Sequence, residues 1–407
     1  MPIHPMANVI PGIDIAATAD FAFLKGATIG VLANQATVDT NGIHLVNLLN
    51  RSRHCKLAKL FAPEHGFLGA AQDMVSVPDE NDNETGIEII SLYGETVESL
   101  SPTAEDFAGL DILVADLPDI GTRYYTYSQT LAYCMKIAGR AGVKVIVLDR
   151  PNPIGGVQIE GSPMTKPCRS FCGIGPVANR HGMTLGELAS LFQGGFGDDE
   201  AAIEKHDCEL EIVPVKGWRR SMYLDNTDIP WSRPSPNMPS IATALVYPGA
   251  CLFEATNLSE GRGTNHPFEM LGAPFVDPEA WIETTKKIGF PLEGASLSPT
   301  QFTPSFQKHA GERCRGVQIH VHDRLAFKPY RFGIALLVGA AKAFPDDFKW
   351  RTQPYEFIDT VPAIDLLYGN DSLRKAAEGC LSIETILKQM DTFESWYESA
   401  RTQYLRY

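Results

Sequence analysis

The chain lacks the patterns that mark metal-binding, nucleic-acid-binding and membrane proteins. Its eight cysteines are scattered without metal-ligand pairs, and the only close couple is Cys168 and Cys172, with three residues between them. Lys and Arg number 35 against 49 Asp and Glu, and the formal charge of −14 argues against general binding to nucleic acid or anionic membranes. No apolar run approaches the roughly 20 residues that span a bilayer. We therefore expect no metal, no nucleic acid, no membrane insertion and no functional disulfide.

The beginning of the chain lacks the features of a leader. Residues 1–8 have neither a basic start nor an apolar core, so they do not read as a signal peptide. This pattern predicts a cytoplasmic protein. An exported protein whose leader had been removed would show the same pattern, so a periplasmic or secreted location stays open.

Glycine-rich phosphate loops are also absent. The first predicted strand, residues 27–33, runs into Asn-Gln-Ala-Thr-Val-Asp at residues 34–39, which is neither the dinucleotide fingerprint nor a P-loop. We therefore expect no nucleotide, and nothing else in the sequence indicates a cofactor.

The length of 407 residues and the hydrophobic content of 44% are enough for two or three domains. We predict two, residues 1–240 and residues 241–407. The boundary is placed after residues 231–239, because the prolines of that segment exclude helix and central strand. The same segment could instead form a wall of a binding cleft.

Four apolar segments, residues 27–33, 57–62, 111–115 and 144–148, each run into polar residues. Helical patterns lie between them, most clearly at residues 126–142. This alternation predicts an α/β fold with a Rossmann-like, doubly wound, mainly parallel sheet, in which ligands bind at the carboxyl ends of the strands. The polar residues that follow these four strands are Asn34, Glu64, His65, Asp116, Asp119, Arg123, Asp149, Arg150 and Asn152.

The most informative of these turns is residues 61–67, Phe-Ala-Pro-Glu-His-Gly-Phe. It places Glu64 and His65 side by side where a predicted strand ends, and Pro63 and Gly66 turn the chain there. A catalytic carboxylate is one interpretation. The alternative is structural: Glu64 caps a helix or pairs with a cation, and His65 packs against the loop.

The second half of the chain carries weaker signals. Thr184 and Glu187 have the spacing of a capping box, which predicts a helix start. Residues 253–264 place Glu260 and Arg262 among small polar and apolar residues, which predicts a loop packed into a cleft. We also predict a strand at residues 316–321 and a helix at residues 332–344. His320 and His322 are predicted to share a strand face, but without a third ligand they do not predict a metal site.

Taken together, these motifs resemble the exo-β-N-acetylmuramidases, a glycoside hydrolase family. The resemblance extends over nearly the whole chain, with one departure at Pro118, where the family more often has glutamine. The segments that carry it are residues 32–35, 61–67, 91–94, 121–127, 149–153, 181–184, 234–239, 245–249 and 257–264.

The resemblance implies a Rossmann-like N-terminal domain, a smaller C-terminal α/β domain and an active-site cleft between them. It also implies release of N-acetylmuramic acid from the non-reducing end of peptidoglycan-derived fragments, with a muramyl saccharide as substrate. The catalytic glutamate of the family falls on Glu64, with His65 beside it. The oligomeric state is not indicated.

Glycoside hydrolysis requires a proton donor and a second group that supports the oxocarbenium-like centre. We expect Glu64 to be the donor and His65 to orient it. The second group stays open among Asp116, Asp119, Glu260 and the acetamido oxygen of the substrate. The lactyl carboxylate of muramic acid calls for a guanidinium, for which Arg123, Arg150 and Arg262 are the candidates. Further candidates for substrate contacts are Asn34, Tyr125, Asp149, Asn152, His181 and Asn237.

Two other functions fit the same residues. One is a non-catalytic protein that binds muropeptides or sugars, and the other is a hydrolase of a different amino sugar.

Overall fold

The computed structural model describes residues 8–407. Its larger sheet has seven strands in the order β3-β4-β2-β1-β5-β6-β7. Every neighbouring pair is parallel except β3 with β4. The predicted mainly parallel, doubly wound sheet is therefore confirmed. The seven strands are β1 Ala27–Leu32, β2 Cys55–Ala62, β3 Glu80–Asn81, β4 Glu88–Ser91, β5 Ile112–Ala115, β6 Lys144–Leu148 and β7 Leu210–Val213.

Helices cover both faces of this sheet because alternate strand residues are apolar on both sides. Phe61 faces one core with α3 and α4, whereas its neighbours Leu60 and Ala62 face a second core with α1 and α2. The helices of this half are α1 Gly12–Thr18, α2 Leu45–Arg51, α3 Tyr127–Ala141 and α4 Leu185–Gly194. The capping box at Thr184 and Glu187 is confirmed, since each side chain bonds the backbone of the other residue.

The second sheet is small and antiparallel, in the order β8-β10-β9, and α6 packs against both β9 and β10. Its strands are β8 Met270–Ala273, β9 Ala295–Phe302 and β10 Cys314–Val321. The accompanying helices are α5 Ile241–Ala250, α6 Pro278–Lys286, α7 Pro329–Ala343, α8 Ala363–Tyr368, α9 Ser372–Ala377 and α10 Ile383–Arg401. Short 3₁₀ turns occupy Ala22–Leu24, Val97–Leu100, Lys166–Cys168, Leu224–Asn226, Cys251–Ala255 and Thr402–Tyr404.

The predicted elements of this half are present, with small differences. The helix expected at residues 332–344 begins earlier, at Pro329, because proline is favoured in the first helical turn. The prediction that His320 and His322 share a strand face was wrong, because β10 ends at Val321. His320 instead pairs with the Ser298 hydroxyl at 2.8 Å. The boundary between the two domains stays a prediction. The helix that follows it, α5, is capped at its N-terminus by Ser240.

Metal ligands, membrane-spanning helices and a leader were all expected to be absent. Among residues 8–407, no group of three His, Cys, Asp or Glu side chains is placed to hold a metal. None of the described helices is long and apolar enough to cross a membrane. Of the segment predicted not to be a leader, residues 1–7 lie outside the described part of the chain.

The chain order places a crevice at the middle of the large sheet. From β1 the chain proceeds to β2 and β4 on one side, and β5 and β6 then lie on the other side. Ligands in open α/β sheets bind where the strand order reverses in this way, outside the carboxyl ends of the strands. The loops that leave β1, β2 and β5 therefore border this crevice.

Candidate active site

Glu64 emerges directly after β2 and is only 6% exposed. The turn forms because Gly66 N–H donates to the carbonyl of Pro63 at 3.0 Å, with His65 in the left-handed region at φ 72°. The Nδ1 atom of His65 lies 3.0 Å from the Ala71 carbonyl oxygen. His65 therefore closes the loop around Glu64, and its orienting role stays a prediction.

The carboxyl group of Glu64 is held by two polar contacts. The Thr126 hydroxyl lies 2.8 Å from Oε2, and the Met74 backbone N–H lies 3.3 Å from Oε1. Thr126 is the residue that precedes α3, so the carboxyl lies at the positive end of that helix. These contacts leave a nearly buried acid in one fixed orientation at the end of a central strand.

Asp116 and Arg150 form a bidentate ion pair at the crevice beside β5. The Arg150 Nε and Nη2 atoms lie 2.5 and 2.8 Å from the two Asp116 oxygens, and Asp116 is fully buried. Arg150 also donates to the Val38 carbonyl, and it lines a small cavity of about 50 Å³ together with Asp119 and Trp231. Asp116 therefore positions Arg150, and no hydrogen bond or ion pair joins its side chain to Glu64.

Asp119 and His181 form a second pair beside this cavity. The Asp119 Oδ2 atom accepts from Gly121 N–H at 2.7 Å and lies 3.2 Å from His181 Nε2. Its Oδ1 atom is buried and has no hydrogen-bond partner among residues 8–407. A ligand that donates a hydrogen bond could satisfy this oxygen, so Asp119 remains a candidate for substrate contact.

Asp149 and Asn152 support neighbouring loops. Asp149 accepts from Gly186 N–H and from the hydroxyls of Thr184 and Tyr407, and its burial raises its pKa to about 6. Asn152 accepts from Ile154 N–H and donates to the Met183 carbonyl. Both side chains are therefore occupied in holding the entrance to α4.

The proline-rich segment at residues 231–239 crosses the carboxyl ends of the strands. Asn34 donates to the Pro234 carbonyl at 3.2 Å, and Asn237 donates to Gln72 at 2.8 Å in the loop that follows Glu64. Tyr125 packs edge-on against Tyr127, with ring centroids 4.8 Å apart. The segment therefore packs against the Glu64 loop, and its role as a wall of a binding cleft stays a prediction.

The Arg123 side chain is not placed to bind a substrate carboxylate. It is 1% exposed and donates to the backbone carbonyls of Val177 and Leu367 at 3.1 and 2.7 Å. Burial lowers the pKa of its guanidinium. The environment of Arg123 therefore does not support the predicted role of binding the lactyl carboxylate. The spacing of residues in a short motif does not show whether a side chain is buried.

Arg262 is surrounded by carboxylates. It lies 3.0 Å from Asp73, 2.7 Å from Glu254 and 3.2 Å from Glu260, and its guanidinium stacks on the Phe268 ring. Asp73 belongs to the Glu64 loop, so this cluster joins the two halves of the chain. The pairing leaves Arg262 little capacity for another anion.

A cleft of about 1310 Å³ opens beside this cluster. One wall is Asp73 and Met74 from the Glu64 loop, and the other walls come from the C-terminal half, including Glu260 and Lys308. Lys308 donates to Glu260 at 2.9 Å. The cleft therefore lies between the two halves, and Met74 connects it to Glu64.

Two residues at this site were not predicted, Arg351 and Glu356. Arg351 lines the cleft, and its Nε atom is buried without a hydrogen-bond partner among the described residues. Glu356 is 6% exposed and accepts from the Tyr93 hydroxyl at 2.9 Å. No local motif marks residues 351–357, and only Tyr93 falls in a segment that carried the family resemblance.

Fold and site together define a class of protein. It is a two-part α/β protein in which a nearly buried glutamate, at a strand end of a Rossmann-like sheet, adjoins a carboxylate-rich cleft. Residues 29–242 match the family model described as exo-beta-N-acetylmuramidase NamZ, N-terminal, and residues 245–407 match the C-terminal model. The chain belongs to the exo-β-N-acetylmuramidase family, which confirms the resemblance seen in the sequence.

Individual relatives agree with this assignment. The chain is 40% identical over 384 residues to the peptidoglycan beta-N-acetylmuramidase NamZ of Bacillus subtilis (strain 168), covering 94% of this chain and 88% of that one. Two crystal structures of DUF1343 family proteins from Bacteroides fragilis NCTC 9343 share the fold. One has a TM-score of 0.86 at 28% identity and covers 99% of this chain and 100% of its own. The other has a TM-score of 0.71 at 26% identity and covers 98% and 99%.

Proposed function

We infer that this chain is an exo-acting glycosidase that releases N-acetylmuramic acid from the non-reducing end of peptidoglycan-derived fragments. Family membership and the activity in the name of the Bacillus subtilis relative support this function. The observation that carries it is the position of Glu64, nearly buried and held by Thr126 and Met74 at the end of β2. Glycoside hydrolysis uses carboxyl groups positioned at the scissile bond. Glu64 is a positioned carboxyl group, and Met74, which contacts it, lines the large cleft.

The predicted site residues take different parts in this function. Glu64 acts on the glycosidic bond, His65 shapes its loop, and Asp116 holds Arg150. Asp119 and Arg150 line the small cavity at the crevice.

Recognition of muramic acid requires a cation for its lactyl carboxylate. Arg150 and Arg262 are already paired with carboxylates, whereas Arg351 has no acidic partner within 4 Å among residues 8–407. The Arg351 guanidinium lies against the Tyr355 ring and within 3.7 Å of the Met74 sulfur, next to the loop that holds Glu64. Arg351 therefore replaces the three predicted arginines as the residue that binds the lactyl carboxylate.

A cytoplasmic location and two domains divided at residues 240 and 241 complete the proposal. All eight cysteines are free, and six of them are buried. Unpaired thiols suit a reducing compartment, in which disulfides are rare.

The test is hydrolysis of 4-nitrophenyl β-N-acetylmuramide by the wild type and by Glu64→Gln. We expect turnover by the wild type and a loss of at least 10²-fold in the variant, with little hydrolysis of the corresponding N-acetylglucosaminide. Glu88→Gln, which removes an exposed carboxylate on the neighbouring strand β4, serves as the matched control.

Calorimetric binding of N-acetylmuramic acid separates the alternatives. A folded wild type that binds the sugar without hydrolysing any muramide would support the non-catalytic binding protein. Faster hydrolysis of the nitrophenyl glycoside of another amino sugar would support the hydrolase of a different amino sugar.

A further inference from the structure

The alignment of β2 with β4 places Tyr93 beside Glu64. Ala62 and Ser91 are neighbours in the parallel ladder, and Leu92 N–H donates to the Ala62 carbonyl at 2.8 Å. Glu64 and Tyr93 each lie two residues beyond this pair. Glu64 and Tyr93 therefore lie in the loops that follow two adjacent strands, at the same distance beyond the last paired residues.

Tyr93 connects this position to a remote part of the chain. Its ring is 1% exposed and packs against Phe171 and Phe357, with centroids 6.1 and 5.7 Å apart. Its hydroxyl donates to Oε2 of Glu356 at 2.9 Å. Because the ring cannot move freely, the Glu356 carboxyl is held at the strand ends where Glu64 also lies.

The segment that carries Glu356 has a constrained backbone. Glu356 and Phe357 both have left-handed φ values, 46° and 65°. Tyr355 and Ile358 bond each other through their backbones, and the Tyr355 hydroxyl donates to Glu254 at 2.6 Å. Consecutive left-handed residues other than glycine are uncommon and tend to persist where a functional position requires them.

The charges around Glu356 are negative. No Lys, Arg or His among residues 8–407 lies within 4 Å of its carboxyl, and the acidic groups facing it are Glu64, Glu254 and Asp73. Burial, followed by the charge of Glu64, raises the pKa of Glu356 well above its ordinary value, and the Tyr93 hydroxyl opposes this shift only in part. Burial without a cationic partner therefore favours the neutral, protonated form of Glu356, which can donate a proton.

The other carboxyl groups considered for the second catalytic role have cationic or backbone partners. Asp116 is paired with Arg150, Glu260 with Arg262 and Lys308, and Asp119 with Gly121 N–H. These carboxyl groups are therefore already occupied by partners within the protein. Glu356 differs from all three because neither a cation nor a backbone N–H among residues 8–407 holds its carboxyl, and its hydrogen-bond partner is the Tyr93 hydroxyl.

We propose that Glu356 is the second catalytic carboxyl group and that it, rather than Glu64, is the proton donor to the glycosidic oxygen. This assignment rests on the proposed glycosidase function and reverses the role expected for Glu64 from the sequence. The proton of Glu356 passes to the glycosidic oxygen as the bond between that oxygen and C1 breaks. The bonding electron pair stays on the oxygen, which leaves as an alcohol.

In this step Glu64 is the second carboxyl group beside the sugar ring. Water supplies the hydroxyl group that replaces the alcohol at C1, and the remaining proton of the water returns to Glu356. The overall reaction consumes one water molecule and needs no other reactant.

The test compares Glu356→Gln on two muramides that differ in their leaving group. A 2,4-dinitrophenolate leaves without a proton, whereas the N-acetylglucosamine of the disaccharide N-acetylmuramyl-N-acetylglucosamine must receive one. We expect kcat/KM of the variant to fall about 10²- to 10⁴-fold on the disaccharide and less than about 5-fold on the dinitrophenyl substrate. Glu64→Gln should lose activity on both substrates.

Asp359→Asn is the matched control, because Asp359 is an exposed carboxylate three residues further along the same segment. It should match the wild type on both substrates. The melting temperature and the affinity for N-acetylmuramic acid report whether Glu356→Gln is folded and binds the sugar.

Equal losses on both substrates by a folded, sugar-binding Glu356→Gln would overturn the proposal, because a merely structural residue would not discriminate between leaving groups. Unchanged activity on both would overturn it as well. A wild type that hydrolyses neither muramide would contradict the proposed function instead, so the two failures are distinguishable.

Discussion

The Tyr93 hydroxyl lies 2.9 Å from Oε2 of Glu356, although 263 positions separate the two residues in the chain. This contact joins the end of β4 in the large sheet to the segment between α7 and α8. It also brings together the strand end that carries Glu64 and a second, nearly buried glutamate. The proposed active site is therefore built from both halves of the chain.

Tyr93→Phe removes the hydroxyl that holds Glu356 while it keeps the packed ring. We expect kcat/KM for the disaccharide to fall about 10-fold, since a hydrogen bond to a charged or catalytic group contributes about 1.5 kcal/mol. The same substitution in the Glu356→Gln background should have little further effect. Additive losses in this double-mutant cycle would show that Tyr93 acts independently of Glu356.

Hydrolysis of the disaccharide should decrease as the pH rises through the raised pKa of Glu356, because the proton donor is then lost. Hydrolysis of the dinitrophenyl muramide should lack this decrease, since its leaving group needs no proton. A pH series of kcat/KM on both substrates, with Glu356→Gln alongside, provides the measurement. Parallel decreases on the two substrates would argue against Glu356 as the donor.

Arg351→Lys should weaken the use of muramides far more than that of N-acetylglucosaminides. Lysine keeps the charge but cannot form the paired hydrogen bonds that a guanidinium makes with a carboxylate. We expect about a 10- to 100-fold loss of kcat/KM on muramides, equivalent to about 1.5–3 kcal/mol. Arg315→Lys, an exposed position on β10, is the control. An equal loss on both sugars would remove Arg351 from lactyl recognition.

The free energy of unfolding should decrease as the pH rises through the range in which Glu160 loses its proton. Burial raises its pKa to about 7, so the folded state binds more protons than the unfolded state between about pH 4 and 7. The free energy of unfolding should therefore fall as the pH rises through this window, by on the order of 3 kcal/mol from this group. Urea unfolding of Glu160→Gln should show a flatter pH dependence than the wild type. An unchanged slope would contradict the shift.

Gly333→Ala should destabilise the C-terminal half. A methyl group at Gly333 of α7 would lie 2.3 Å from the Cα atom of Gly249 in α5, so the two helices would have to separate. We expect a loss of about 1–3 kcal/mol in the free energy of unfolding, as for other overpacked cores. Lys342→Ala, an exposed substitution in the same helix, controls for helix propensity. Wild-type stability in Gly333→Ala would show that the helices can adjust without cost.

The sequence by itself determined the large sheet and the position of its functional loops. The apolar runs that form β1, β2, β5 and β6 end at polar residues, and local hydrophobicity and proline placement are enough to reveal such boundaries. Glu64 could be predicted as a functional residue because it follows the end of such an apolar run. The family was recognised because its motifs occur in short, continuous segments.

The tertiary structure alone decided which charged groups are free and which are already paired. Arg123 is buried against carbonyls and Arg262 is surrounded by three carboxylates, although both looked available in the sequence. Glu356 lies in a segment without a motif, and it became a candidate only through its contact with Tyr93. Desolvation and ion pairing depend on contacts between remote segments, and the order of residues along the chain does not specify those contacts locally.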